Sequence, residues 1–278
     1  MKHTLLSPYI MEHPLEAKRL SEKVDADLLV NQYLSPYLHE VNCFIDIGCG
    51  PATVAYAISQ QYPNINVYCL DINFHRLCHF IQQKTTNNNS VYSVVANTLQ
   101  IPFSQHKFDF VFSRFLFEYI REPEQAMQEM IRILKPGGRI FVQDIDGQLT
   151  LHYPQPAFLE NNIQKIINTM KLYGFDPFVG RKLYNMMFLS HLSDIDVKVE
   201  PYNLTWGKKK KEHIEQWIHK MNVLKPLVIE ALGTESKADQ MIEASIQFYC
   251  REETLLYTSL FSVTAIKPES TLNPTMQK

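Results

Sequence analysis

The residues best placed to do chemistry form a glycine-containing turn after an apolar run. The run Cys43–Ile47 predicts a strand, and Gly48, Cys49 and Gly50 follow it directly. Glycines permit a tight turn whose main chain a ligand can approach closely, and Pro51 suits the first turn of a helix. Because open α/β sheets bind ligands at the carboxyl ends of their strands, this turn is predicted to border a binding site. A purely structural strand-to-helix turn is the alternative.

An acidic residue ends the second predicted strand. Asp71 follows the run Asn66–Leu70 and lies 71 − 50 = 21 residues after Gly50. At this spacing a carboxylate accepts hydrogen bonds from ribose hydroxyls. Asp71 could instead cap a helix that begins near Asn73. Taken together, the glycine turn and Asp71 predict a cofactor that contains a nucleoside.

Two residues on either side of the turn indicate which cofactor binds there. A dinucleotide site prefers a third glycine, with the helix N-terminus facing a pyrophosphate, but Thr53 stands at that position. Asp46 lies two residues before Gly48, and its carboxylate would repel a pyrophosphate. It would instead favour an ammonium or a sulfonium group, directly or through water. A nicotinamide-dependent oxidoreductase is therefore disfavoured.

The elements that must position these residues alternate along the chain. Unbroken apolar runs separated by segments of helical period predict parallel strands covered on both faces. Two further runs, joined by a long connection, predict an antiparallel edge. The fold class is therefore α/β, a doubly wound, seven-stranded, mostly parallel sheet with a helical cover. The predicted strands are Cys43–Ile47, Asn66–Leu70, Val91–Val95, Phe108–Ser113, Arg139–Asp144, Asp194–Asn203 and Leu255–Ile266.

Helical periodicity fixes the remaining organisation. Phe74, Leu77, Cys78 and Ile81 share one helical stripe, and Pro123 suits the start of the helix before the fifth strand. We expect an N-terminal helical arm or lid over residues 1–40 and a main domain over 41–266. The domain would carry helical inserts at about 150–190 and 208–253. Residues 267–278 are predicted to be a flexible tail.

Composition excludes several classes of protein. The 278 residues carry 27 basic and 29 acidic side chains, a net charge of −2, and 45% are apolar. This is too apolar for a disordered chain and gives no footprint for nucleic acid. Five cysteines without a C-x-x-C pair indicate neither disulfides nor a metal site. Because no signal peptide or membrane-spanning run is evident, we expect a cytoplasmic monomer or homodimer with no membrane partner.

Four blocks of sequence together resemble one family. They are FIDIGCGPATVA, YCLDIN, VVANTLQIPFSQHKFDFVFSRFLFEYI and ILKPGGRIFVQDID, within residues 43–146. In order and spacing they are similar to class I S-adenosylmethionine-dependent methyltransferases of the small-molecule type. The resemblance implies the Rossmann-like methyltransferase fold, with S-adenosylmethionine as cofactor and S-adenosylhomocysteine as product.

The resemblance also implies roles on the adenosine side. Asp71 should hold the ribose diol, and Ile72 should pack against adenine. Asn97 stands where the family usually has an acid that reads the adenine amino group, with Thr98 alongside. An amide oxygen also accepts that hydrogen bond, so we expect weaker discrimination rather than loss of binding.

On the methionine side, the resemblance assigns a second group of residues. Gly48–Gly50 should pack against the methionine and ribose parts of the cofactor, with Asp46 beside the turn. Arg114 and Phe115 should line the methionine end. Arg19, in the N-terminal segment, is expected to pair with the cofactor carboxylate, which a guanidinium binds well.

The implied reaction is an in-line displacement in which an oxygen or nitrogen of the acceptor attacks the sulfonium methyl. The protein then chiefly aligns the reactants and excludes water. The acceptor is predicted to be a small, partly apolar metabolite. Candidate bases or orienting groups follow the fourth and fifth strands, and are Glu118, Tyr119, His152 and Tyr153. The alternative function is a non-catalytic S-adenosylmethionine-binding regulatory or scaffold protein.

Overall fold

A computed structural model describes residues 24–77 and 91–269 of the chain. At its centre is an eight-stranded sheet in which the path runs β3-β2-β1-β4-β5-β8-β6, and β7 also pairs with β8. The strands are β1 (Cys43–Ile47), β2 (Asn66–Asp71), β3 (Val91–Val95), β4 (Phe108–Arg114), β5 (Leu134–Asp146), β6 (His152–Tyr153), β7 (Ser193–Thr205) and β8 (Leu255–Ile266).

Helices connect the strands and form a separate layer. The short helix α1 leads through a π-helical turn at Val30–Leu34 into the chain before β1. Helices α2 and α3 cross between parallel strands, whereas α4, α6 and α7 pack on one another. The bounds are α1 (Ala26–Leu29), α2 (Thr53–Gln61), α3 (Pro123–Ile133), α4 (Ala157–Leu172), α5 (Leu183–Leu189), α6 (Lys211–Leu232) and α7 (Glu235–Cys250).

The predicted α/β class is confirmed. The pairs β1–β2, β1–β4, β2–β3 and β4–β5 are parallel. Strand β8 runs antiparallel to β5 and to β7, which gives the expected antiparallel edge. The sheet contains one strand more than the seven predicted, because the two-residue β6 pairs with the beginning of β8. A run of two residues carries no periodicity that the sequence could have revealed.

Strand β5 begins earlier than predicted. Leu134 already pairs with Phe108, and the register shifts before the next pair, Phe110 with Arg139. Gly137 and Gly138, which precede the predicted strand Arg139–Asp144, therefore lie within β5. At Gly138 a Cβ atom would stand 3.0 Å from the Asp109 carbonyl oxygen. A glycine there accommodates the close backbone approach at this irregularity.

Buried side chains on the two faces of the sheet form separate cores. On β1, Phe44 packs toward α2, with its ring 5.4 Å from that of Phe110. The adjacent Ile45 belongs to the core that α3 covers, together with Met127. Successive strand residues point to opposite faces, so this division shows that β1 is covered on both sides, as its unbroken apolar run predicted.

A third apolar cluster lies within the helical layer. It joins α4, α6 and α7 through buried side chains that include Ile166, Leu224 and Ile242. Helix α6 is capped by Gly233, which has a φ of +86°, and the hydroxyl of Thr234 accepts a hydrogen bond from the Lys237 N–H at the start of α7. The helical segment predicted over 208–253 is therefore two helices. None of the described helices is long and apolar enough to cross a membrane.

Some predictions fall outside the described residues. These are the pairing of Arg19, the first 23 residues of the predicted arm, the helical stripe beyond Leu77, and the tail from residue 270 onward. The described part of that stripe does form helix: residues 74–77 are helical and Leu77 is buried.

Candidate functional site

The glycine turn is held against the end of β2 by backbone hydrogen bonds. The N–H groups of Gly48 and Cys49 donate to the Leu70 carbonyl oxygen at 2.7 and 3.1 Å. Gly48 and Gly50 have φ angles of +73° and +53°, in the left-handed region that glycine enters without steric cost. The turn therefore has the tight geometry that the sequence predicts.

Asp71 ties the same turn to the adjacent strand. One carboxylate oxygen accepts the Gly50 N–H at 2.8 Å, and the other accepts the Asn73 N–H at 2.8 Å. The cap of the following helix is Asn73, whose side-chain oxygen accepts the N–H groups of His75 and Arg76. A carboxylate has about four acceptor positions. Asp71 therefore orders the turn and still has acceptor capacity for a ligand.

Asp46 is a buried carboxyl next to the turn. Burial, together with the smaller effect of the Asp71 charge, raises its pKa to about 8, although the Arg114 guanidinium opposes the shift. The group is therefore largely protonated at neutral pH. Because a nearby cation favours the ionised form of a carboxyl, Asp46 is suited to respond to a positively charged ligand.

Arg114 is held by side chains of β5 and β7. Its Nε donates to Gln143 Oε1 at 2.7 Å, and its side chain is hydrogen-bonded to Tyr202 of β7. Its guanidinium carbon lies 4.1 Å from the centre of the Phe115 ring. Burial lowers the pKa of Arg114, and the charge of Asp144 opposes that effect. Arg114 is thus a fixed positive charge at the carboxyl end of β4.

Asp144 organises the segment that follows β4. Its carboxylate accepts the N–H of Ile145 at 2.9 Å and that of Glu118 at 3.3 Å. Burial raises its pKa to about 7, although hydrogen bonds from backbone N–H groups oppose the shift. The carboxylate therefore fixes the turn Phe117–Tyr119, which carries Tyr119.

The residues predicted on the adenosine side lie at the ends of β2 and β3. Ile72 is 47% exposed, and Thr98 is buried. The side-chain oxygen of Asn97 accepts the Leu99 N–H at 2.9 Å. One acceptor position of that oxygen is therefore in use, and the other is available for an amino group.

One continuous cavity of about 1580 Å³ connects these residues with the helical layer. Every cofactor-binding residue predicted from the sequence and described in the structure lines it. They are Asp46, Gly48, Cys49, Gly50, Asp71, Ile72, Asn97, Thr98, Arg114 and Phe115. The cavity exceeds the 300–1,000 Å³ that is usual for a single ligand, so it has room for a cofactor and a second molecule.

Among the candidate bases, Tyr119 and His152 line this cavity, as does Glu118. The Tyr119 ring lies 5.4 Å from the Phe175 ring. His152 Nε2 is 2.8 Å from Glu160 Oε1, although neither atom completes a hydrogen bond to a described residue. The distance fits an ion pair, whereas the direction of the ring nitrogen does not fit a hydrogen bond.

The predicted catalytic role of Tyr153 is not supported by its position. Its side chain is 73% exposed and does not contribute to the cavity. Adjacent residues of a strand point to opposite faces. In β6, His152 therefore points toward the cavity and Tyr153 points away from it.

Three residues of this arrangement were missed in the sequence. Glu160 comes from α4, Tyr202 from β7, and Asp144 from the carboxyl end of β5. The position of Asp144 at a strand end was a signal that could have found it. The described residues contain no group of three or more His, Cys, Asp or Glu side chains able to hold a metal ion.

Comparisons with known proteins agree with this geometry. The family described as "Methyltransferase domain" matches residues 45–142. An uncharacterized methyltransferase of Schizosaccharomyces pombe is 22% identical over 229 residues, which cover 77% of this chain and 78% of the relative. The demethylmenaquinone methyltransferase of Staphylococcus carnosus is 33% identical over 95 residues, 34% of this chain and 39% of the relative.

A solved structure supports the fold over a longer stretch. The phosphoethanolamine N-methyltransferase 2 of Haemonchus contortus, in complex with phosphomonomethylethanolamine and S-adenosylhomocysteine, has a TM-score of 0.54 at 16% identity. The similarity covers 87% of this chain and about half, 52%, of that chain. Residues 45–142 thus match a methyltransferase domain, which confirms the predicted resemblance to class I S-adenosylmethionine-dependent methyltransferases and supports S-adenosylmethionine as the cofactor.

The geometry of the glycine turn leads to a first prediction, which concerns the effect of replacing Gly48. A Cβ atom there would lie 2.9 Å from the Leu116 side chain, which lines the cavity. We expect Gly48→Ala to weaken S-adenosylmethionine binding about tenfold or more, and to destabilise the fold by about 1–2 kcal/mol for an alanine in the left-handed region. Calorimetric titration and urea unfolding measure the two effects.

Gly207→Ala is the matched control. Gly207 has a φ of +62°, but among the described residues no atom other than those of its chain neighbours lies within 4 Å of its Cβ position. This variant should lose comparable stability and keep the affinity for S-adenosylmethionine. Equal affinities in both variants would contradict the assignment of the turn.

The raised pKa of Asp46 leads to a prediction about how the stability of the protein depends on pH. Its folded-state pKa of about 8 is above its ordinary value of 3.8. The folded state therefore binds more protons than the unfolded state, and stability falls as the pH rises through this interval. Compared with Asp46→Asn, the wild type should lose on the order of 2 kcal/mol between about pH 6 and pH 8. Urea unfolding at both pH values tests this, and a pH-independent difference between the proteins would disprove it.

Proposed function

We propose that the protein transfers a methyl group from S-adenosylmethionine to an oxygen or nitrogen of a small, partly apolar molecule. The observation that carries the proposal is the continuous cavity. One end is bordered by the glycine turn and Asp71, and the other by apolar side chains of α4, α6 and α7. Two relatives named for different acceptors, demethylmenaquinone and phosphoethanolamine, do not select one for this chain.

The residues at the strand ends fit the cofactor. Asp71 has acceptor capacity for the ribose hydroxyls after binding the turn. Ile72 offers an apolar surface to adenine, and Asn97 an amide oxygen to its amino group. Asp46 lies beside the turn, and its carboxyl becomes a better acceptor when a cation stabilises its ionised form. When bound, S-adenosylmethionine supplies an electrophilic methyl group on a positively charged sulfur.

The protein's contribution to the transfer is alignment, exclusion of water and removal of a proton. We assign the last role to His152 because the residue lines the cavity and its Nε2 lies 2.8 Å from the Glu160 carboxylate. A carboxylate next to an imidazole stabilises the imidazolium that forms when the ring takes up a proton. Tyr119 borders the cavity at the end of β4 and is placed to orient the acceptor.

The function is tested first through Asp71. Replacing it by Asn removes the charge and one acceptor for the turn, so the dissociation constant for S-adenosylmethionine should rise about ten- to a hundredfold. The wild type should bind in the micromolar range. Isothermal titration measures both proteins.

Asp109→Asn is the matched control for this variant. Asp109 also accepts two backbone N–H groups, those of Asn42 and Cys43, and pairs with Lys135. It lies at the other end of the central strands and does not line the cavity. Its replacement should leave the affinity within about twofold. Absence of binding by the wild type at high cofactor concentration would refute the proposed function.

The proposed role of His152 predicts a kinetic effect. His152→Asn should slow S-adenosylhomocysteine formation about a hundredfold, which is typical of the loss of a general base, without changing cofactor affinity. The measurement uses a panel of hydroxyl- and amino-bearing acceptors.

The exposed neighbour provides the control, since Tyr153→Phe should keep the wild-type rate. A His152→Asn variant with the wild-type rate would exclude the histidine as base. Cofactor binding without product from any acceptor would favour the regulatory or scaffold alternative.

A further inference from the structure

We propose that the acceptor is an amphiphile with a hydrocarbon body and a single uncharged hydroxyl head. The inference rests on the proposed function and specifies its substrate class. The hydrocarbon body would occupy the part of the cavity between α4, α6 and α7, which we call the inner compartment. Its walls include Ile166, Met170, Met221, Leu224, Val228 and Ile242.

The first argument is that the helical layer is an apolar core with a space inside it. The six wall residues named above are buried members of the third apolar cluster, and all of them also line the cavity. Protein interiors are normally close-packed, and unfilled apolar volume costs stability. A ligand that fills such a space with hydrocarbon restores the missing contacts.

The second argument is the distribution of polar groups along α6. The cavity-lining residues of its first half include Glu212, Glu215 and Lys220, whereas those from Met221 onward are all apolar. On α7 the hydroxyl of Ser245 is already within 3.5 Å of Met221 Sδ. Water needs two or more polar partners to be held in a buried site. The inner compartment therefore suits hydrocarbon rather than water or a polar chain.

The third argument concerns the head group. Three buried polar atoms of cavity-lining residues complete no hydrogen bond to any residue that the structure describes: His152 Nε2, Gln148 Oε1 and Trp217 Nε1. The His152 ring lies 5.2 Å from that of Phe248, a member of the third cluster. His152 therefore marks one border of the inner compartment. A hydroxyl both donates and accepts a hydrogen bond, so it satisfies an imidazole nitrogen in either tautomer.

Methyl transfer from S-adenosylmethionine to a hydroxyl balances in atoms and electrons. The acceptor oxygen forms a bond to the methyl carbon while the carbon–sulfur bond breaks. The electron pair of the broken bond stays on sulfur. The hydroxyl proton passes to His152 Nε2, beside Glu160. A hydroxyl needs this proton acceptor, whereas a neutral amine attacks without prior loss of a proton.

The test measures ligand binding to the whole 278-residue chain and does not require the natural acceptor. The fluorescent probe 1-N-phenylnaphthylamine should bind saturably, and straight-chain primary alcohols from butanol to decanol should displace it. Affinity should increase about fourfold per added methylene until the compartment is filled. The diol 1,8-octanediol should bind at least about tenfold more weakly than 1-octanol, because its second hydroxyl would enter the apolar end.

Two variants locate the binding. Val228→Thr keeps the side-chain shape and should weaken 1-octanol binding about threefold or more, whereas Val197→Thr, on the exposed face of β7, should not change it. Val228→Phe should shift the longest accommodated alcohol to a shorter chain. S-adenosylmethionine titration of each variant verifies that the fold is intact.

The results separate the two proposals. Normal S-adenosylmethionine binding with no saturable probe binding, no dependence on chain length, or equal affinities for 1-octanol and 1,8-octanediol would overturn the amphiphile proposal alone. Equal effects of Val228→Thr and Val197→Thr on 1-octanol binding would also overturn the amphiphile proposal alone. Loss of S-adenosylmethionine binding by the wild type would refute the methyl-transfer function itself, whatever the alcohols do.

Discussion

The geometry of the site depends on the buried carboxylate of Asp71, which connects the ends of two strands. Asp71 ends β2 and accepts the N–H of Gly50, which belongs to the turn leaving β1. Since the same turn also donates two N–H groups to the Leu70 carbonyl oxygen, its path is defined from the side of β2. The spacing between the turn and the acid is thus a structural requirement as well as a feature of cofactor recognition.

The electrostatics around this carboxylate explain how several ionisable groups can lie buried together at the carboxyl ends of the strands. Asp46 lies close enough to Asp71 for their charges to interact, and it remains largely protonated at neutral pH. Arg114 supplies the opposing positive charge and is fixed by Gln143 and Tyr202. A cationic ligand would add a second positive charge to this edge, so cofactor binding and ionisation of Asp46 are expected to be coupled.

Much of the sheet was predictable from the sequence because its strands are covered on both faces. The bounds of β1, β3 and β8 are those predicted. The glycine turn was also predictable, since its positive φ angles demand particular residues. By contrast, the contact between His152 and Glu160 depends on how α4 packs against a two-residue strand. That Tyr153 points away from the cavity was not predictable, because only the pairing of β6 decides which neighbour faces the cavity. The bond between Arg114 and Tyr202 joins strands far apart in the chain, and no local pattern encodes it.

The most direct test of the account is a crystal structure of the protein with S-adenosylhomocysteine. The account predicts that both ribose hydroxyls lie within hydrogen-bond distance of the Asp71 carboxylate and that the sulfur faces the part of the cavity that leads to His152 and the inner compartment. Electron density for the nucleoside away from β1 and β2, or a ribose bound by other residues with Asp71 engaged only in the turn, would contradict it.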